Sequence, residues 1–129
     1  MEKIINYKKT NDFYNSDNVT FTYKKSSLIF HYSNLVRRIC IEKNAYWVIK
    51  EINSLQEKFS KVSFQVWKLK RNFKKNETGI ISRLDSFSLI LEDENNNILL
   101  EKKIEFSEYP DDELNLLLID KILILPCEY

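Results

Sequence analysis

The sequence predicts an α+β fold: an antiparallel sheet of about five strands, run as a meander, with two or three helices packed on one face. Three observations lead there. Apolar residues from Ala45 to Phe59 recur at steps of three and four, the spacing of one buried helix face. After Val62 the period shortens to two, in segments rich in β-branched and aromatic residues separated by Asn-, Asp- and Gly-containing turns. The 129 residues are 43% hydrophobic and 30% charged, a globular composition long enough to bury one core. The chain therefore reads as a single domain over residues 1–129, with 1–18, polar and Asn-rich, as a loosely ordered N-terminal segment.

The elements follow in order. Residues 19–23 (Val-Thr-Phe-Thr-Tyr) alternate and read as a strand, and 28–32 (Leu-Ile-Phe-His-Tyr) as a second, the two forming a hairpin. Ser33 is placed to cap a helix carrying Leu35, Val36, Ile39 and Cys40 at helical spacing. Asn44 is placed to cap the next, whose stripe is Ala45, Val48, Ile49, Ile52, Leu55 and Phe59, with Lys50, Glu51, Glu57 and Lys58 opposite. Residues 64–70 form a strand by composition, ended by the turn Asn76-Glu77-Thr78-Gly79. Residues 87–92 and 98–106 form a hairpin around Asp93-Glu94-Asn95-Asn96-Asn97, where Asn supplies the positive φ that glycine usually supplies. Asp111 or Asp112 caps a short helix over 113–120, with acids in its first turn. Residues 121–125 form a last strand, stopped by Pro126.

Composition excludes several chemistries. One glycine, Gly79, cannot write a Walker loop or a dinucleotide fingerprint. One histidine and two cysteines, Cys40 and Cys127, do not make the usual zinc sites or a disulfide framework. Lys plus Arg is 20 and Asp plus Glu is 19, a balance unlike that of a polybasic phosphate binder. No signal-peptide pattern and no run of about 20 apolar residues is present, so the expectation is a cytoplasmic protein with reduced thiols and no membrane partner.

Three segments carry a resemblance. They are Ala45-Tyr46-Trp47-Val48-Ile49 continuing through Gln56, then Phe64-Gln65-Val66-Trp67-Lys68-Leu69, then residues 122–129, ending Leu125-Pro126-Cys127-Glu128-Tyr129. Together, over about residues 31–129, they resemble a family of small uncharacterised proteins of bacteria and phages. Its pattern is Ala-Tyr-Trp, Phe-Gln-Val-Trp-Lys-Leu and a C-terminal Leu-Pro-Ser-Glu-Tyr. The chain departs from it at Lys50, at Cys127, in the glycine-free turn at 93–97, and at Tyr109-Pro110-Asp111-Asp112. The resemblance implies a fold and no catalytic residue. The distribution of such proteins implies an accessory role in which a phage or mobile element interferes with a host system.

Among the residues themselves, Lys68, Lys70, Arg71, Lys74 and Lys75, interleaved with Trp67 and Phe73, form the best partner- or nucleic-acid-binding candidate. Basic side chains on one strand face track phosphates, and aromatic faces stack on bases. The bland alternative is a solvated strand whose lysines discourage edge pairing. Tyr46, Trp47, Gln56, Gln65 and Tyr129 read as structural, with Gln56 and Gln65 fixing helix against sheet or, in the sharper alternative, forming a polar ligand site. The acidic clusters 92–94 and 111–113 are suited to Mg²⁺ in type, but a hairpin tip and a helix start account for them. His31 with Cys40 would be a base and a thiol, yet Cys40 lies on an apolar helix face. No catalytic residue, metal ligand or cofactor is assigned.

The expectation is a non-enzymatic protein, monomer or homodimer, that binds and inhibits a host protein or ribonucleoprotein complex in the host cytoplasm, as anti-defence or anti-CRISPR proteins do. The alternative is a nucleic-acid-binding accessory domain using residues 67–75.

Overall fold

The computed structural model describes residues 2–3, 20–25 and 28–129, with side chains from His31 onward. The expected loosely ordered segment 1–18 lies outside the described residues apart from β1 (Glu2–Lys3). The other elements are β2 (Thr20–Lys25), β3 (Leu28–Ser33), α1 (Asn34–Glu42), α2 (Tyr46–Phe59), β4 (Phe64–Lys75), β5 (Ile81–Glu92), β6 (Ile98–Ile104), β7 (Glu113–Ile119) and β8 (Ile122–Ile124). A 3-10 turn at Pro126–Glu128 follows.

Both helices begin and end for local reasons. The Ser33 hydroxyl accepts from the Val36 amide, as its position predicts. Asn44 does not cap α2 as expected. It takes φ 56, which Asn tolerates, in the corner between the helices, and Ala45 stands at the N-cap position.

The sheet corrects the predicted architecture in three ways. It is not a meander of about five strands: six strands lie from Leu28 onward, in the order β3-β8-β7-β4-β5-β6, with β2 and β1 beyond β3. It is not wholly antiparallel, because β8 runs parallel to β3, pairing Tyr32 with Leu123. The segment expected as a helix over 113–120 is the strand β7. It is inserted between β4 and β8, where Leu114, Leu116 and Leu118 stand opposite Leu69, Trp67 and Gln65. The acids at 111–113 suit a helix start, but burial of a period-2 leucine row outweighs local propensity. A strand there also pairs its backbone groups with neighbours on both sides, as central burial requires.

The β7–β8 turn is Asp120-Lys121, both at positive φ (51 and 67), the geometry of a two-residue hairpin made without glycine. In the β5–β6 turn, Asn96 supplies φ 64 as the composition predicts. The Asp93 carboxylate there accepts from the Asn95 and Asn97 amides, and these bonds hold it below the usual carboxylate range.

The two faces of the sheet differ. Trp67, Leu69, Phe87, Leu89, Leu91, Leu116 and Leu123 face the helices and meet Val36, Cys40, Val48, Ile49 and Ile52 in the main core. The opposite face holds a smaller cluster of Leu117, Ile119 and Ile124, with Phe64, Val66 and Ile122 against it. At roughly 25 cal/mol per Å², burying one such large side chain is worth about 1.5–3 kcal/mol, so the helix-side layer dominates cohesion.

Candidate functional site

The run from Trp67 to Lys75 lies along β4, and strand alternation divides it. Trp67 faces the helices at 1% exposure, and its Nε1 donates to Gln65 Oε1 at 2.9 Å. It therefore presents no ring face to a base. Lys68 points to the other side and ion-pairs with Glu92 at 3.1 Å. Arg71 is buried. Lys70, Lys74 and Lys75 are exposed. The continuous basic strip expected from the sequence thus becomes three separate environments, because alternate residues of one strand face opposite sides.

Gln56 on α2 and Gln65 on β4 bond reciprocally, each amide nitrogen donating to the other's oxygen at 2.9 Å. Gln65 Nε2 also donates to the carbonyls of Phe59 and Val62, both at 2.9 Å. This closed set ties the end of α2 to the start of β4 and gives the nitrogen and the oxygen of both amides a partner. Tyr46 sits at the start of α2 with its hydroxyl 3.1 Å from that of Tyr32. Trp47 Nε1 donates to Ser107 Oγ at 3.1 Å, joining the helix to the β6–β7 connection. Tyr129 meets Phe64 edge to face at 5.8 Å but is 68% exposed.

Glu128, within the C-terminal motif, is fully buried. Its Oε1 accepts from Ser33 Oγ at 2.6 Å and from the Leu125 amide at 2.9 Å. The chain end is thereby bonded to the cap of α1. Burial raises the Cys40 thiol to about 12 and lowers His31, the wrong direction for a thiolate nucleophile. Within the acidic clusters, Asp111 pairs with Lys43, Asp112 with Arg71 and Arg83, and Glu92 with Lys68. Among the described residues no group of three or more His, Cys, Asp or Glu is arranged to hold a metal.

The most distinctive surface is built from what lies past the sheet. β7 ends opposite Lys70, and β6 ends opposite Phe87. Beyond them β4 and β5 continue as a two-stranded arm, pairing Phe73 with Arg83, Lys74 with Ser82 and Lys75 with Ile81. Its tip turns at Gly79 (φ 87), with the Asn76 side chain accepting from the Thr78 and Ile80 amides. Phe73, Ile80 and Ile81 are 48%, 61% and 65% exposed.

Arg71 anchors the base of this arm. At 4% side-chain exposure it lies over the Phe87 ring, 4.5 Å from its centroid. Its Nη2 donates to the carbonyls of Tyr109 (2.7 Å) and Asp111 (3.2 Å), its Nη1 to that of Leu84, and its Nε to Asp112 Oδ1 (3.1 Å). The pairing register shifts here, with three β5 residues between partners that span one on β4. Beside it opens a polar cleft of about 470 Å³ lined by Arg71, Arg83, Asp85, Phe106, Glu108 and Tyr109.

Ile80, Ile81 and Phe106 were not singled out by sequence reasoning. Two isoleucines directly after a glycine turn were a visible signal. The place where neighbouring strands stop, which makes them exposed, was not. A family model whose description is a family of unknown function matches residues 7–129. No curated protein and no solved structure matches.

Proposed function

The chain belongs to this family of unknown function, DUF6876, and we propose that it is a non-enzymatic interaction module that docks on another protein through the β4–β5 arm. The observation that carries the reading is the exposed apolar group Phe73, Ile80 and Ile81 on a ribbon projecting past the sheet. By register Phe73 and Ile81 are diagonal neighbours on one face of the ribbon, with Ile80 next to Ile81 at the tip, and exposed apolar surface of this kind is costly to leave in water and marks contact surfaces. Arg71 supports the reading from below, since its buried bonds hold the arm's base in one geometry and lower the ordering cost of docking. In the inhibitory role that the resemblance implies, the arm would cover a working surface of a host protein or ribonucleoprotein, and no bond is made or broken.

The nucleic-acid alternative has less behind it. Trp67 and Arg71 are buried, and Asp112 pairs with both Arg71 and Arg83. Phosphate tracking needs a larger cationic excess.

The test is differential capture. Wild type and the Ile80→Ser/Ile81→Ser variant are immobilised and exposed to the same lysate. A species held by the wild type and lost from the equally folded variant is the expected result. Identical captures from both would overturn the reading. Titration with labelled oligonucleotides at two salt concentrations decides the alternative.

A further inference from the structure

We propose that the outer edge of β4 on the arm, residues 73–75, accepts an extended acidic–apolar segment of the partner protein as a third strand. This rests on the docking function above and specifies its chemistry.

The slot is defined by where pairing stops. The Arg71 amide donates to Asp112 O at 2.8 Å, the last backbone bond on that side of β4. Beyond it, among the described residues, no strand pairs with 73–75 on that edge. A two-stranded ribbon is marginally stable in water, and a third strand is the usual remedy. An added strand would continue the line of β7 past Asp112. Main-chain bonds of this kind supply affinity, and the side chains opposite supply specificity.

The side chains at the edge choose the occupant. Among the described residues Lys74 and Lys75 form no ion pair, whereas the guanidiniums of Arg71 and Arg83 are both held by Asp112. Cross-strand partners stand directly opposite. An incoming strand therefore fits best with an apolar residue at Phe73 and carboxylates at Lys74 and Lys75. A second copy fits badly. Two-fold antiparallel pairing centred on Lys74 or Lys75 sets that lysine against itself, and centring on Phe73 sets Lys75 against Arg71. Edge lysines exclude strands in general while leaving an acidic one favourable.

The experiment selects a displayed random-peptide library on the immobilised full-length chain. The expected outcome is enrichment of peptides with an apolar residue next to two acids. A selected peptide should slow amide exchange at Phe73 and Lys75, whose amides face the outer edge, and bind at least about tenfold more weakly to Lys74→Glu/Lys75→Glu. The same reversal should turn selection toward basic peptides, a gain that misfolding cannot mimic. Peptides that need Ile80 and Ile81, ignore the lysine reversal and leave the Phe73 and Lys75 amides unprotected would overturn the third strand while sparing the docking function. Absence of any arm-dependent peptide would overturn both. Sedimentation showing a dimer lost on the lysine reversal, or salt-sensitive oligonucleotide binding lost in the same way, would overturn the acidic-segment assignment.

Discussion

Replacing Arg71 by methionine should be among the most damaging single changes in this protein. The substitution keeps the apolar stem against Phe87 and removes the guanidinium. It strips donors from the carbonyls of Leu84, Tyr109 and Asp111. Each buried acceptor left unpaired costs about 1–3 kcal/mol. The carboxylates count for less, since Asp85 and Asp112 are 73% and 51% exposed and water screens them. Water reaching the cleft will re-satisfy part of the loss, so a total of about 4 kcal/mol is a reasonable centre. Chains of this size have roughly 6–19 kcal/mol of stability. An unfolding entropy of about 2.1 cal/mol/K per residue, roughly 0.27 kcal/mol/K in all, converts 4 kcal/mol into a Tm drop of about 15 °C. Arg71→Lys should recover little, because one ammonium cannot serve carbonyls on three sides. The assay is thermal unfolding followed by circular dichroism, backed by urea titration. A Tm drop below about 3 °C for Arg71→Met, or full recovery by lysine, would refute the anchoring role.

Three further outcomes follow from the same geometry. Gln65→Ala should cost about 2–3 kcal/mol and Gln56→Ala about 1–2, because losing Gln65 strands both Trp67 Nε1 and the Gln56 amide, and urea unfolding should show that order. At pH 8, Ellman's reagent should titrate the exposed Cys127 quickly and Cys40 only on unfolding, since burial holds the Cys40 thiol near 12; two equally fast thiols would contradict the core placement. Burial lowers His31 below its usual 6.5, so the unfolded chain binds the proton more tightly, and stability present above pH 6.5 declines as pH falls below it. The fall in Tm between pH 7.5 and 5.5 should flatten in His31→Gln.

Much of the local structure was legible in the sequence. The α2 stripe, the Ser33 cap, the β2–β3 and β5–β6 hairpins and the turn at Gly79 all follow from spacing or backbone preference. The reading of Gln56 and Gln65 as the joint between helix and sheet was legible too, because two amides flanking a short connection need partners if buried. β7 was not. Leu114 to Leu118 carry an apolar pattern that a short helix or strand can bury, with acids ahead of it that suit a helix start. Only its insertion between β4 and β8 decides the matter.

The candidate surface shows the same division. Alternation along β4 was readable, and it already implied that Trp67 and Arg71 share one face and Lys68 and Lys70 the other. That Arg71 is consumed by carbonyls from two distant segments, and that Phe73, Ile80 and Ile81 lie beyond the last paired neighbour, depends on contacts 13 to 40 positions apart in sequence. By itself the sequence determined the α+β class, the main helix, most turns and the exclusion of glycine-loop chemistry, because propensity, periodicity and positive-φ preferences act over a few residues. Tertiary structure alone decided the strand order, the parallel β3–β8 pair, the conversion of 113–119 to a strand and the projection of the arm. Each of these turns on which distant segment offers a backbone or apolar surface to complete the layer.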